Sequence, residues 1–259
     1  MYYDVATAIS QGKRDYQEDA VVADFAVGVP YGFAVLADGM GGHAAGDVAS
    51  KIVVTEVFSE LKFQSSDRVG LEENFNTTLL DVVNSANLCI DAHVRENPAH
   101  KGMGATVVAP VVFEDRLYWI SVGDSPLFLA RDDKLEQLNA DHSMAPQIDL
   151  MVSSGQIDQE TALNHPDRNA LTSVLMGRDI PSIDCAARPT ALQVGDIIIA
   201  ASDGLQYLTD DQIEAVVAGH KRRTASEIAR AILRAVETLN DPDQDNTSVV
   251  IIKCGHSQH

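Results

Sequence analysis

The chain has 259 residues, 45% of them apolar and 22% charged, which is enough apolar material for a full core and excludes an intrinsically disordered segment. Its formal charge of −19 disfavours nucleic acid and anionic membrane as partners, and obliges any phosphorylated ligand to find positive potential in bound cations or a few arginines. The three cysteines (Cys89, Cys185, Cys254) are widely spaced and form no CxxC pair. With no apolar run of about 18 residues and no signal-peptide core, the chain is expected to be cytoplasmic and reduced.

In chain order, Asp4 to Ser10 reads as a strand, Gly12 as a turn and Ala20 to Asp24 as a second strand. Phe33 to Ala37 is a short apolar run stopped by Asp38-Gly39; its length and the glycines behind it favour a buried strand over a helix. Asp47 to Phe63 is a helix, with Val48, Ile52, Val53, Val57 and Leu61 at helical spacing. A second helix covers 71–96, carrying Phe75, Leu79, Val82, Val83, Ala86 and Ile90 on one face. Thr106 to Phe113, Leu117 to Val122 and Leu127 to Arg131 follow as an antiparallel meander with short turns. Residues 144–179 are polar and mixed, one or two short helices and a loop. Strands resume at Ile183 to Arg188 and Ile197 to Ala201, then helices at Asp210 to Ala218 and Ala225 to Leu239, then a last strand at Ser248 to Lys253. Strands in runs and helices in separate runs indicate an α+β layered fold, and no repeat or linker divides residues 1–259.

Four aspartates stand where apolar strands run out into tight turns: Asp38, Asp124, Asp203 and Asp245. Each has a Gly or Asn beside it and none has a basic neighbour. Convergence of such carboxylates without counter-charge would keep them partly protonated, and hard divalent cations relieve that repulsion through oxygen ligands. Gly39, in the run Asp38-Gly39-Met40-Gly41-Gly42-His43, can offer a backbone carbonyl beside the Asp38 carboxylate. Arg14 is suited to grip a phosphate through paired hydrogen bonds, and Glu18 and Asp19 to orient metal-bound water. The histidines make no HExxH or HxH pair, so zinc is not expected. Nor is there a GxSxG elbow, a Walker A loop or a kinase signature. The pattern reads as a metal-dependent hydrolase.

These residues resemble the metal-dependent protein phosphatases of type 2C, in their bacterial branch. The resemblance spans nearly the whole chain: Arg14 with Glu18-Asp19, Ala37 to Gly42, Gly104-Ala105-Thr106, Gly123-Asp124-Ser125, Asp141-His142-Ser143, His165-Pro166 with Arg168-Asn169 and Leu171-Thr172, Ser202 to Leu205, and Asp245-Asn246-Thr247. It implies a four-layer α-β-β-α sandwich of two antiparallel sheets flanked by helix pairs, with a flap at about 144–180. It implies Mg²⁺ or Mn²⁺, two ions with a third in bacterial members, and phosphorylated proteins as partners, a cognate Ser/Thr kinase among them, for a monomeric enzyme. By motif position Asp38 bridges two ions, Asp203 and Asp245 complete one, the Gly39 carbonyl with Glu18 completes the other, and Asp124 with Asp203 flanks the third. Asp19 and Asn246 stand behind these ligands. Departures from the family pattern are Pro126 after Gly-Asp-Ser, Ser173 after Leu-Thr, and Ala105 within Gly-Ala-Thr; Met40 is usual in bacterial members.

The implied activity is hydrolysis of phosphoserine and phosphothreonine on proteins. A metal-bridging hydroxide attacks phosphorus in line, with Arg14 and the cations offsetting charge and no phosphoenzyme. Two other readings stay open: a weakly active partner-binding module of the same fold, for which Pro126 and Ser173 are the hints, and a two-metal phosphodiesterase.

Overall fold

The computed structural model describes residues 1–41, 45–65, 74–186 and 188–256. Gly42, His43, positions 71–73 of the expected second helix and position 187 of the expected strand 183–188 lie outside the described residues. Twelve strands are described: β1 (Tyr2–Ser10), β2 (Asp19–Phe25), β3 (Tyr31–Met40), β4 (Gly104–Ala105), β5 (Val107–Phe113), β6 (Arg116–Val122), β7 (Leu127–Arg131), β8 (Lys134–Gln137), β9 (Asp184–Cys185), β10 (Thr190–Ala191), β11 (Ile197–Ala201) and β12 (Thr247–Gly255). The described helices are α1 (Ala45–Gln64), α2 (Phe75–Glu96), α3 (Ala145–Ser153), α4 (Gln159–Leu163), α5 (Asp210–His220) and α6 (Ala225–Leu239).

The strands form two antiparallel sheets. One runs β1-β12-β11-β7-β8; the other runs β10-β6-β5-β3-β2, with β4 also on β3 and β9 on β6. Helices α1 and α2 cover the second sheet, α5 and α6 the first. The result is the four-layer α+β sandwich, α-β-β-α.

The central strands read as unbroken apolar runs because both of their faces are buried. On β3, Phe33, Val35 and Ala37 pack toward α1 and α2, while Ala34 and Leu36 pack between the sheets. On β11, Ile197, Ile199 and Ala201 face α5 and α6, while Ile198 and Ala200 face the other sheet. The helix starts of the second pair are written locally: Thr209 with Gln212, and Thr224 with Glu227, each close a reciprocal capping box. Asn240 ends α6 in the left-handed conformation (φ 48°).

Three differences from the sequence expectation stand out. Leu127–Arg131, expected as the third strand of a meander with β5 and β6, lies in the other sheet between β11 and β8, because residues 123–126 carry the chain across from one layer to the other. Strand β8 and the two-residue β10 had no apolar alternation to reveal them. The expected strand 183–188 shrinks to Asp184–Cys185, which pairs with Ile120 and Ser121. Segment 144–180 does carry two short helices, and it is tied back to the body by the bridges Ser143–Leu171 and Ala105–Leu175. No described helix is long and apolar enough to cross a membrane.

Candidate active site

Register places the chemistry at one end of the sandwich. In the second sheet Asp19 pairs with Asp38 and Val107 with Val122, so the start of β2, the end of β3, the start of β5 and the end of β6 coincide. In the first sheet Ala201 pairs with Val249 and Ser10 with Thr247, so the end of β11 and the start of β12 coincide likewise. The connection 11–18 crosses from one sheet to the other at this end. Asp38 shares the parity of Ala34 and Leu36, so its side chain leaves the sheet toward the gap between the two layers.

A cleft of about 430 Å³ opens there, lined by Arg14, Glu18, Asp38, Gly39, Met40, Gly41, Thr106, Asp124, Asn169, Ala170, Leu171, Asp203, Asp245 and Asn246. The structure thus gathers Arg14, Glu18, Asp38, Gly39, Asp124, Asp203, Asp245 and Asn246, with Arg14 and Asp245 231 positions apart. Asp19 does not line the cleft. It sits behind it, buried, accepting from Ser202 Oγ at 2.8 Å.

Backbone bonds hold these positions. Asp38 is held by Thr106 on both sides: its N–H donates to Thr106 Oγ1 (3.0 Å) and its carbonyl accepts from Thr106 N–H (2.8 Å). Gly39 donates to the Glu18 carbonyl at 3.1 Å. A Cβ on Gly39 would meet the Gly46 carbonyl oxygen at 2.1 Å, so only glycine lets β3 and the start of α1 approach this closely. Asn246 clasps the connection 11–18: its Oδ1 accepts from Glu18 N–H (2.8 Å) and its Nδ2 donates to the carbonyls of Gln11 (2.9 Å) and Tyr16 (3.0 Å).

The electrostatics are those of acids crowded out of water. Burial, then Asp203, Asp19 and Asp124, push the Asp38 carboxyl well above the usual carboxylate range. Burial and Asp245 raise Asp203 to about 6. Burial, then Asp203 and Asp141, raise Asp124 to about 7, and burial chiefly raises Asp19 to about 7. Asp38 and Asp203 are hydrogen-bonded to each other, and Arg14 is paired with Asp245. Arg14 therefore covers an acid that the sequence reading left free for a cation. Among the described residues, no group of three or more His, Cys, Asp or Glu stands in a geometry that could itself hold a metal ion. The carboxyls answer their repulsion instead with raised pKa values at Asp38, Asp124 and Asp203 and with a guanidinium on Asp245.

The donor set nonetheless fits a hard cation. Glu18 Oε1, Asp19 Oδ1 and Asp203 Oδ1 are buried without a hydrogen-bond partner, and a buried carboxylate oxygen left unpaired is costly. Oxygen ligands of this kind suit Mg²⁺ or Mn²⁺ and not zinc. No cysteine lines the cleft, and Thr106 Oγ1 is engaged by Asp38 N–H and by Ser125 Oγ at 2.7 Å. Thr106 and Asn169 were not singled out as site residues from sequence. The signal for Thr106 was its place between two small residues and a valine-rich strand; Asn169 lies in an irregular stretch with no periodicity.

An acid-lined cleft with one guanidinium at its mouth, set at the end of a four-layer sandwich, is the architecture of a hydrolase site. The protein phosphatase 2C family model matches residues 11–236. A serine/threonine phosphatase of Listeria innocua is 30% identical over 220 residues, covering 85% of this chain and 83% of that protein. The crystal structure of the Mycobacterium tuberculosis serine/threonine phosphatase PstP/Ppp superposes with a TM-score of 0.77 at 28% identity, over 99% of this chain and 100% of that one. The catalytic domain of PstP in complex with two manganese ions superposes with a TM-score of 0.76 at 28% identity, over 98% and 99%. The chain belongs to the protein phosphatase 2C family, and the relatives named above are bacterial serine/threonine phosphatases.

Proposed function

We propose that the protein removes phosphate from phosphoserine and phosphothreonine on other proteins in a reaction that depends on divalent cations. The observation that carries this is the set of buried, unpartnered oxygens on Glu18 and Asp203 in a cleft whose acids are pushed toward protonation. The manganese pair of the PstP structure and the names of the relatives support it.

Asp38, Asp203 and Asp245, with the Gly39 carbonyl and Glu18, would hold two cations, and Asp124 with Asp203 would hold a third. Such ions acidify water for attack on phosphorus and offset charge on the phosphoryl oxygens. Arg14, at the cleft mouth with its side chain 57% exposed, turns from Asp245 to the phosphate, where its planar fork takes two oxygens. Thr106 fixes the Asp38 backbone, so this carboxylate is placed before substrate arrives. Thr106 Oγ1 is already engaged by Asp38 N–H and Ser125 Oγ, and the carboxylates would be committed to cations, which favours a single displacement by water without a phosphoenzyme.

The test is phosphate release with Mn²⁺ from a phosphothreonine peptide, a phosphotyrosine peptide and a bis-aryl phosphodiester, with and without chelator. Selective, chelator-sensitive release from phosphothreonine is expected. Chelator-insensitive turnover, or preference for the diester, overturns the reading.

A further inference from the structure

His142 is buried, 7% exposed, and takes no part in the chemistry above. It sits where the chain leaves β8 for segment 144–180, and it grips both polar groups of Gly123. Gly123 N–H donates to His142 Nδ1 (3.2 Å), and His142 N–H donates to the Gly123 carbonyl (3.1 Å). On its other side, the His142 carbonyl accepts from both the N–H (2.7 Å) and the hydroxyl (2.8 Å) of Thr172. Ser182 Oγ lies 3.3 Å from Nε2. Because Gly123 N–H can only donate, Nδ1 accepts and the ring proton sits on Nε2, shared with Ser182. Burial lowers the imidazolium pKa, against the opposing pull of Asp184 and Asp141, and so favours this neutral ring.

Gly123 has no slack on its other face. Its φ is 106°, and a Cβ there would meet Thr106 Cγ2 at 2.6 Å. Thr106 in turn holds both polar groups of Asp38. A continuous path of contacts therefore runs from Thr172 through His142, Gly123 and Thr106 to Asp38, with Asp124 the next residue along from Gly123. Thr172 follows directly on Asn169, Ala170 and Leu171, which form one wall of the cleft.

We propose that His142 is a positioning residue that couples the 169–172 wall of the cleft to the Gly123–Asp124 turn, so that the surface meeting the phosphopeptide and the acid beneath it are set together. The inference rests on the phosphatase reading above and adds to it how protein substrates are distinguished from small phosphate esters. A small aryl phosphate needs only the acid floor; a phosphopeptide also leans on the wall.

Three variants separate the links. Ser182→Ala removes only the partner of Nε2. His142→Asn keeps an amide oxygen near Gly123 N–H and loses Ser182. His142→Ala loses both ring contacts. Steady-state kinetics with a phosphothreonine peptide and with p-nitrophenyl phosphate, both at saturating Mn²⁺, are read beside hydrogen exchange at the backbone amides of 140–182. Ser182→Ala is expected to raise the peptide KM about three- to tenfold with p-nitrophenyl phosphate turnover unchanged. His142→Ala should in addition lower kcat on both substrates by about tenfold, and His142→Asn should restore most of that kcat while keeping the peptide KM defect. Exchange at Thr172 should quicken in all three variants. Equal losses for Asn and Ala on both substrates, or an unchanged peptide KM with unchanged Thr172 exchange in Ser182→Ala, overturn the proposal. If His142→Ala does not fold, the other two variants carry the same decision. If the wild type hydrolyses neither substrate, the phosphatase reading fails, while exchange at Thr172 still decides the coupling.

Discussion

Replacing Asp124 by Asn should make the chelated protein more stable, by an amount set by pH. Asp124 is 8% exposed, and its carboxyl is raised from 3.8 to about 7, first by burial and then by Asp203 and Asp141. Below 3.8 both the folded and unfolded chains carry the proton, and the acid costs nothing. Between 3.8 and about 7 the folded chain holds a proton that the unfolded chain has released, so stability falls as pH rises through that window and levels off above it. At about 1.36 kcal/mol per pH unit, the rise from 3.8 to about 7 amounts to ~4 kcal/mol as an upper bound, since water entry and relaxation reduce it. Asn has no proton to lose. In EDTA, Asp124→Asn should therefore gain ~2–4 kcal/mol over the wild type at pH 8, about 1–2 kcal/mol at pH 5, and little below pH 4. Urea unfolding at those values reads the difference directly. With saturating Mn²⁺ the advantage should shrink or reverse, because the cation stabilises the wild-type acid more than the amide. A variant no more stable than the wild type at pH 8 in EDTA, or a gain that does not change with pH, refutes the reasoning.

The other expectations concern the cleft itself. Asp38→Asn should leave the circular dichroism spectrum intact and reduce phosphothreonine turnover by about a thousandfold or more, as loss of a central electrostatic group does; near-normal turnover contradicts its assignment. Arg14→Ala should raise KM for the phosphopeptide more than it lowers kcat. The same change should move stability by no more than ~1 kcal/mol, because the Arg14–Asp245 pair is largely exposed on the arginine side; a kcat loss with unchanged KM would move Arg14 from binding to transition-state stabilisation. Gly39→Ala should cost ~2 kcal/mol or more in chemical denaturation, because its methyl must displace the Gly46 carbonyl; a neutral effect would show that β3 and α1 can part freely.

What was legible follows from physics that acts locally. The long amphipathic helices and the apolar central strands could be read because periodicity and burial of both faces leave a strong trace; Ala225–Leu239 falls where the pattern put it, and Leu127–Arg131 keeps its expected span but not its expected sheet. Strand β8 could not be read that way. Lys134-Leu135-Glu136-Gln137 is a polar edge strand, held by pairing with β7 and by Leu135 N–H on Glu214. Its only advance notice was Asp132-Asp133, both at positive φ, as are Glu114-Asp115 in the preceding hairpin. Acidic pairs in left-handed turns are a weaker hairpin signal than Asn-Gly. The aspartates of the cleft were legible because Asp38, Asp124, Asp203 and Asp245 each stand within two residues of a strand end, beside a Gly or Asn. Their pairings were not: that Asp38 turns to Asp203 and Arg14 to Asp245 depends on the meeting of two sheets. Ser173, a departure from the family pattern, closes the base of segment 144–180, donating to the Ser182 carbonyl at 2.6 Å and accepting from Ser182 N–H at 3.1 Å.

The most direct trial of the account is anomalous diffraction at the manganese edge from crystals soaked in Mn²⁺. Two peaks flanked by Asp38, Asp203 and Asp245, with Arg14 released from Asp245, are the predicted outcome. Manganese bound elsewhere, or these carboxyls still paired with one another and with Arg14 at saturating metal, would contradict it.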